Sequence, residues 1–117
     1  MYNDDELISL GIDLDGALQR FLGKKAIFEK MLKKLPQAVA DCPVEEFFEK
    51  KDYETAFANA HTLKGLAGNL SVTPMFEAYS DICDKLRGND GEAAYEVLKN
   101  ILPEQEKIIT YIGENAD

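Results

Sequence analysis

Apolar residues recur at spacings of three and four along the chain, and no run alternates long enough to suggest a sheet. Asp4 to Leu10 reads as a short opening helix ended by Gly11. Asp13 is placed to cap a second, with Leu14, Ala17, Leu18 and Phe21 inward and Gly23 closing it. From about Lys24, Phe28, Met31, Leu32 and Leu35 stand at core spacing, and Pro36 and Pro43 predict a kink or break at each. Val44, Phe47 and Phe48 resume the apolar face before Asp52, which caps a helix running from Tyr53 to about Leu70. Ser71-Val72-Thr73-Pro74 stops the chain and restarts it, Thr73 as the cap and Pro74 at the first helical position. The helix so opened carries Phe76, Tyr79, Ile82, Cys83 and Leu86 on one side and ends at Arg87-Gly88. A last stretch begins near Asp90 with Ala94, Val97, Leu98 and Ile101. It should kink at Pro103 and continues its stripe through Ile108, Ile109 and Ile112.

Long amphipathic helices joined by short connections predict an all-α fold, an antiparallel four-helix bundle with short additional N-terminal helices. The expected layout is one domain over 1–117, with the N-terminal helices in about 1–23 and the bundle in about 24–112. At 117 residues, 45% hydrophobic and 30% charged, the chain suits one folded core. The net charge of −9 argues against nucleic acid and against anionic membrane surfaces. No apolar stretch is long enough to span a bilayer, and the acidic start Asn3-Asp4-Asp5-Glu6 is unlike a signal peptide. Cys42 and Cys83 lack metal-ligand spacing, and Cys83 stands at an apolar position, so it is expected as a buried thiol. A cytoplasmic monomer is the expectation these features set.

One histidine, His61, is present, in the run His61-Thr62-Leu63-Lys64-Gly65-Leu66-Ala67-Gly68-Asn69-Leu70. On a helix Gly65 projects about 40° to one side of it and Gly68 about 20° to the other, with Lys64 about 60° round and one turn on. Ala56, Leu63, Leu66, Ala67 and Leu70 cluster on the opposite face, so the imidazole should face solvent beside two positions without side chains and an ammonium. Two glycines each weaken a helix by about 1 kcal/mol against Ala, and close approach by another protein is the simplest reason for them. A neutral imidazole has a lone pair able to attack phosphorus, and Lys64 could then pair with the phosphoryl charge. Phe57, about 40° away and one turn earlier, and Tyr53, another turn back, either form an apolar edge to a docking surface or pack on a neighbouring helix. Asn59 falls among the leucines, where a structural amide must find hydrogen-bond partners.

The run His61-Thr62-Leu63-Lys64-Gly65 with Ala67-Gly68-Asn69 resembles the signature of histidine-containing phosphotransfer (HPt) domains of bacterial two-component phosphorelays. Gly11-Ile12-Asp13, Ala17-Leu18 and Arg20-Phe21 are similar to the usual opening of those domains. The resemblance implies that His61 accepts phosphate from a receiver-domain phospho-aspartate and passes it to another receiver aspartate. It implies that Lys64 supports the phosphoryl group and that Gly65 and Gly68 keep the site open, with Asn69 among the binding residues. Response-regulator receiver domains, and a hybrid histidine kinase carrying one, are the partners it implies. The chain departs from the pattern at Ser71, where many such domains have glycine.

No glycine-rich nucleotide loop is present, so a carrier without its own ATP site is expected, not an autonomous kinase. No metal or other cofactor is expected on the chain, Mg²⁺ belonging to the receiver. The competing reading is a non-catalytic helical docking module that binds a receiver or another signalling partner without transfer. Zinc or hydrolytic chemistry is disfavoured by a single histidine without paired thiols.

Overall fold

The computed structural model describes residues 1–116. Among them run α1 (Asp4–Ser9), α2 (Leu14–Arg20), α3 (Lys25–Leu32), α4 (Leu35–Asp41), α5 (Glu45–Glu49), α6 (Tyr53–Asn69), α7 (Thr73–Arg87) and α8 (Gly91–Glu114). The only β-type pairing among the described residues is one isolated bridge between Ile12 and Val72.

Helix starts are set by short carboxylate and amide side chains. Asn3, Asp13, Asp52 and Asp90 each accept a backbone N–H three residues on and open α1, α2, α6 and α8. Thr73 does not cap α7 as its sequence position suggests. It lies inside the first turn with Pro74, and Val72 takes the cap position without a side-chain bond. The ends are equally regular. Leu22, Lys51, Ser71 and Asn89 adopt left-handed φ of 57°, 58°, 56° and 58°, one residue beyond the caps of α2, α5, α6 and α7. In each case the following N–H closes back on the helix: Gly23 to Leu18 O, Asp52 to Phe47 O, Val72 to Ala67 O and Asp90 to Lys85 O.

The segment expected as one interrupted helix from Lys24 is two pieces, α3 and α4, parted at Lys33-Lys34, with Pro36 in the first turn of α4. A second break at Cys42–Val44 separates α5. Pro103 does not interrupt α8, which continues through it. Both Pro103 and Lys99, whose carbonyl loses its helical donor, are exposed, so water can replace the missing bond.

α6 packs on α7 and α7 on α8 through connections of three residues, which makes the three antiparallel. The fourth wall is the broken α4–α5 strand of helix, lying against α6 and α8. Phe28, Leu32, Leu35, Leu63, Met75, Ile82, Leu98, Ile108 and Ile112 fill the centre, each removed from water almost completely. Each is worth about 1.5–3 kcal/mol of burial, which outweighs the marginal stability of helices this short on their own. Within the core the Tyr79 hydroxyl donates to Gln105 Oε1, and burial pushes the phenol's pKa strongly upward. Met31, placed in the core by spacing, instead lies 40% exposed. Cys83 is buried, as expected for a thiol on an apolar face. The N-terminal segment is tied at both ends: Tyr2 Oη donates to Ile112 O at 3.0 Å, and Asp13 N to Ser71 O at 2.9 Å. No helix among the described residues is long and apolar enough to cross a membrane.

Candidate functional site

α6 turns one face into the bundle. Ala56, Ala60, Leu63 and Ala67 are its buried positions, facing the helices packed on it, chiefly α7. Leu66, assigned to that face from spacing, is half-buried at its margin. The opposite face carries His61, which is exposed.

Gly65 has open space around it: a Cβ there would meet nothing within 4 Å. Gly68 differs. A Cβ there would lie 3.0 Å from Cδ1 of Phe76, whose ring comes from the first turns of α7. At Gly68, then, the close approach is made by a group of this chain itself, while the space over Gly65 stands open. Lys64, expected beside the imidazole on the solvent face, is half-buried; among the described residues it makes no hydrogen bond or ion pair. Its charge and that of Arg87 are felt at the Cys83 thiol, whose pKa is raised by burial and partly restrained by these two cations.

Phe57 is half-buried, and its ring is stacked on that of His61, the planes 5° from parallel and the centroids 5.9 Å apart. Arg87, the last residue of α7, sets its guanidinium over the Phe57 ring at 5.0 Å. Tyr53 does not join them. It packs edge-on against Phe48 and lies so close to Gly91 that a Cβ there would be 2.7 Å from Tyr53 Cζ. Asn59 Nδ2 donates to Pro43 O at 2.6 Å, which satisfies the amide structurally.

His61, Lys64, Gly65, Gly68 and Asn69 line one open cleft of about 460 Å³, together with Asp13, Arg20, Ser71 and Phe76. Arg20 Nη1 donates to Ser71 Oγ at 2.7 Å. Ser71 lies past the C-terminal end of α6, more than two turns beyond His61, so Arg20 is tied to the end of the cleft away from the imidazole. Asp13, the carboxylate in the lining, is occupied as the cap of α2. Beyond Arg20 and Asn69 the cleft continues into a groove of about 560 Å³ lined by Phe21, Met31, Leu35, Ala38, Leu66 and Leu70, with Lys34 on its edge. The sequence marked Arg20 only in the opening, Phe76 only as an apolar position and Arg87 only as a helix end; it placed none of them at the site and did not show the groove. Arg20 and Phe76 stand near the signature only after folding, and no spacing rule relates Arg87 to His61.

The Hpt domain family model matches residues 26–110, a span that contains α6 and His61. No curated protein and no solved structure matches the chain significantly. With that match over most of its length, carried on a helical bundle, the chain belongs to the Hpt domain family, the phosphotransfer proteins that work with receiver domains in phosphorelays.

Proposed function

We propose that His61 is the phosphoacceptor of a relay intermediate, taking a phosphoryl group from a receiver phospho-aspartate and delivering it to a second receiver aspartate. The observation that carries this reading is an exposed imidazole beside the empty space over Gly65. A partner's loops can reach the ring there, whereas a histidine held for structure has no use for a bare helix position next to it.

The chemistry balances without a cofactor on this chain. An imidazole nitrogen lone pair attacks phosphorus, the N–P bond forms, and the P–O bond to the donor carboxylate breaks with its electron pair leaving on that carboxylate. The second nitrogen gives up its proton to solvent. The return step to the acceptor aspartate reverses this sequence. Lys64 supplies a cation one turn from the ring to offset the incoming negative charge, its flexible stem letting it follow the phosphoryl group. Beside His61 the cleft holds the cations Lys64 and Arg20, and its carboxylate, Asp13, is taken up as the cap of α2, a set suited to an anion. Mg²⁺ accordingly belongs to the receiver's acidic pocket. The adjoining groove, apolar with Lys34 and Arg20 at its rim, supports docking of a receiver along α2, α4 and the end of α6.

Transfer from a radiolabelled phosphorylated receiver domain tests this, beside His61→Gln. Acid-labile, alkali-stable label on the native chain, absent from His61→Gln, is the expected result. Binding without label across a panel of receivers would leave a docking module instead. Lys64→Ala should slow transfer on the order of tenfold, or about 1.4 kcal/mol of transition-state stabilisation, with the fold intact by circular dichroism. Equal rates would remove Lys64 from the mechanism.

A further inference from the structure

We infer that Phe57 and Arg87 form a positioning stack that fixes the plane of the His61 ring, an inference that rests on His61 being the phosphoacceptor. An exposed histidine on a helix can turn about two side-chain bonds. Its nucleophilic lone pair lies in the plane of the ring, so the ring's orientation decides whether that lone pair points at phosphorus. Phosphoryl transfer depends mainly on such alignment.

The contact with Phe57 restrains the right variable. Its ring is one turn before His61, parallel to within 5° and displaced, with centroids 5.9 Å apart. A parallel neighbour holds the imidazole plane while leaving the ring edge, and hence both nitrogens, open to a partner. An aliphatic side chain of equal bulk would give contact without defining a plane. Phe57 is itself restrained: the Arg87 guanidinium lies 5.0 Å over its ring, and Asp84 Oδ1 accepts from Arg87 Nη1 at 3.3 Å. The device thus runs from Asp84 and Arg87 on α7, through Phe57, to His61 on α6. It also suits the charge change. As the N–P bond forms and the donor P–O bond breaks, the imidazole becomes cationic until its second nitrogen loses a proton, and the negative face of an adjacent aromatic ring favours that cation.

The test uses the full chain with Phe57→Leu, Phe57→Trp and Arg87→Met, and two phosphoryl donors: a phosphorylated receiver domain and the small molecule phosphoramidate. Phe57→Leu should lower the maximal transfer rate about tenfold with either donor, leaving the half-saturating receiver concentration unchanged. Phe57→Trp, which keeps a flat ring, should stay within about twofold of native, and Arg87→Met should fall about threefold. In the unphosphorylated protein, NMR relaxation of the His61 ring should show greater mobility in Phe57→Leu and not in Phe57→Trp. The stack is overturned by unchanged maximal rates, by a loss confined to half-saturation (which would make Phe57 a docking contact), or by Leu and Trp variants that are equally slow. If the native chain accepts no phosphate at all, the carrier reading falls by itself. The relaxation measurement then decides the stack alone, and unchanged His61 mobility in Phe57→Leu overturns it.

Discussion

Gly65 and Gly68 flank the same histidine yet answer differently to a methyl group. At Gly65 the added carbon meets nothing, so Gly65→Ala should gain helix propensity and raise stability by up to about 1 kcal/mol in urea unfolding. At Gly68 the methyl must displace the Phe76 ring, and Gly68→Ala should gain less or lose stability. Equal gains at both sites would show that Phe76 yields freely. Projection onto one helix could not separate these glycines, because it carries no information about α7. The same limit explains Asn59 and Tyr53, whose partners Pro43 and Phe48 come from the preceding segment. What spacing did convey was the side of the helix that faces water, since His61 and the buried Ala56, Leu63 and Ala67 lie on one element with one period. Ser71 resolves the departure from the signature. Its φ of 56° is the conformation a glycine adopts without strain, and here a serine adopts it with its hydroxyl bound to Arg20.

Among the elements, α8 departs furthest from expectation, running unbroken from Gly91 to Glu114 across Pro103. The buried stripe of Leu98, Ile101, Gln105, Ile108 and Ile112 passes the proline without losing register, so packing on α7 holds the helix together where the backbone bond is missing. Pro103→Ala should therefore stabilise the protein by about 1–3 kcal/mol, read as a higher denaturation midpoint. No change would mean that the proline costs the native helix nothing. Helix existence was legible throughout because burial imposes a period, and the caps Asp13 and Asp52 were legible because their side chains act locally; near Asp90 only the start of a helix was read, not its cap. The parting of α3 from α4 at Lys33-Lys34 was not, since proline marks a nearby boundary without saying on which side it falls. Left-handed ends at Leu22 and Lys51 were equally hidden, as neither residue type advertises that conformation.

Charge is unevenly distributed over the whole molecule. The chain carries −9 overall, yet Arg20, Lys24, Lys25, Lys30, Lys33 and Lys34 follow closely in sequence on α2, α3 and their flanks, and Arg20 and Lys34 line the apolar groove. Lys25 is engaged by Asp4 at 2.6 Å, which raises its pKa, while Lys34 lies at the groove edge. An acidic receiver surface would be drawn to this end and repelled from the remainder. Association with a receiver should accordingly slow about tenfold between 50 and 500 mM salt, and Lys34→Glu should weaken that dependence in stopped-flow measurements. A rate indifferent to salt would assign docking to the apolar groove alone. The site itself is open: His61 stands exposed on a helix face that lines a cleft open to solvent. A phosphoryl group stored there would face bulk water between encounters, so the carrier could not shelter its own cargo. Its signal would decay at the pace of phosphoimidazole hydrolysis, and the memory of the relay would be set by how often partners arrive.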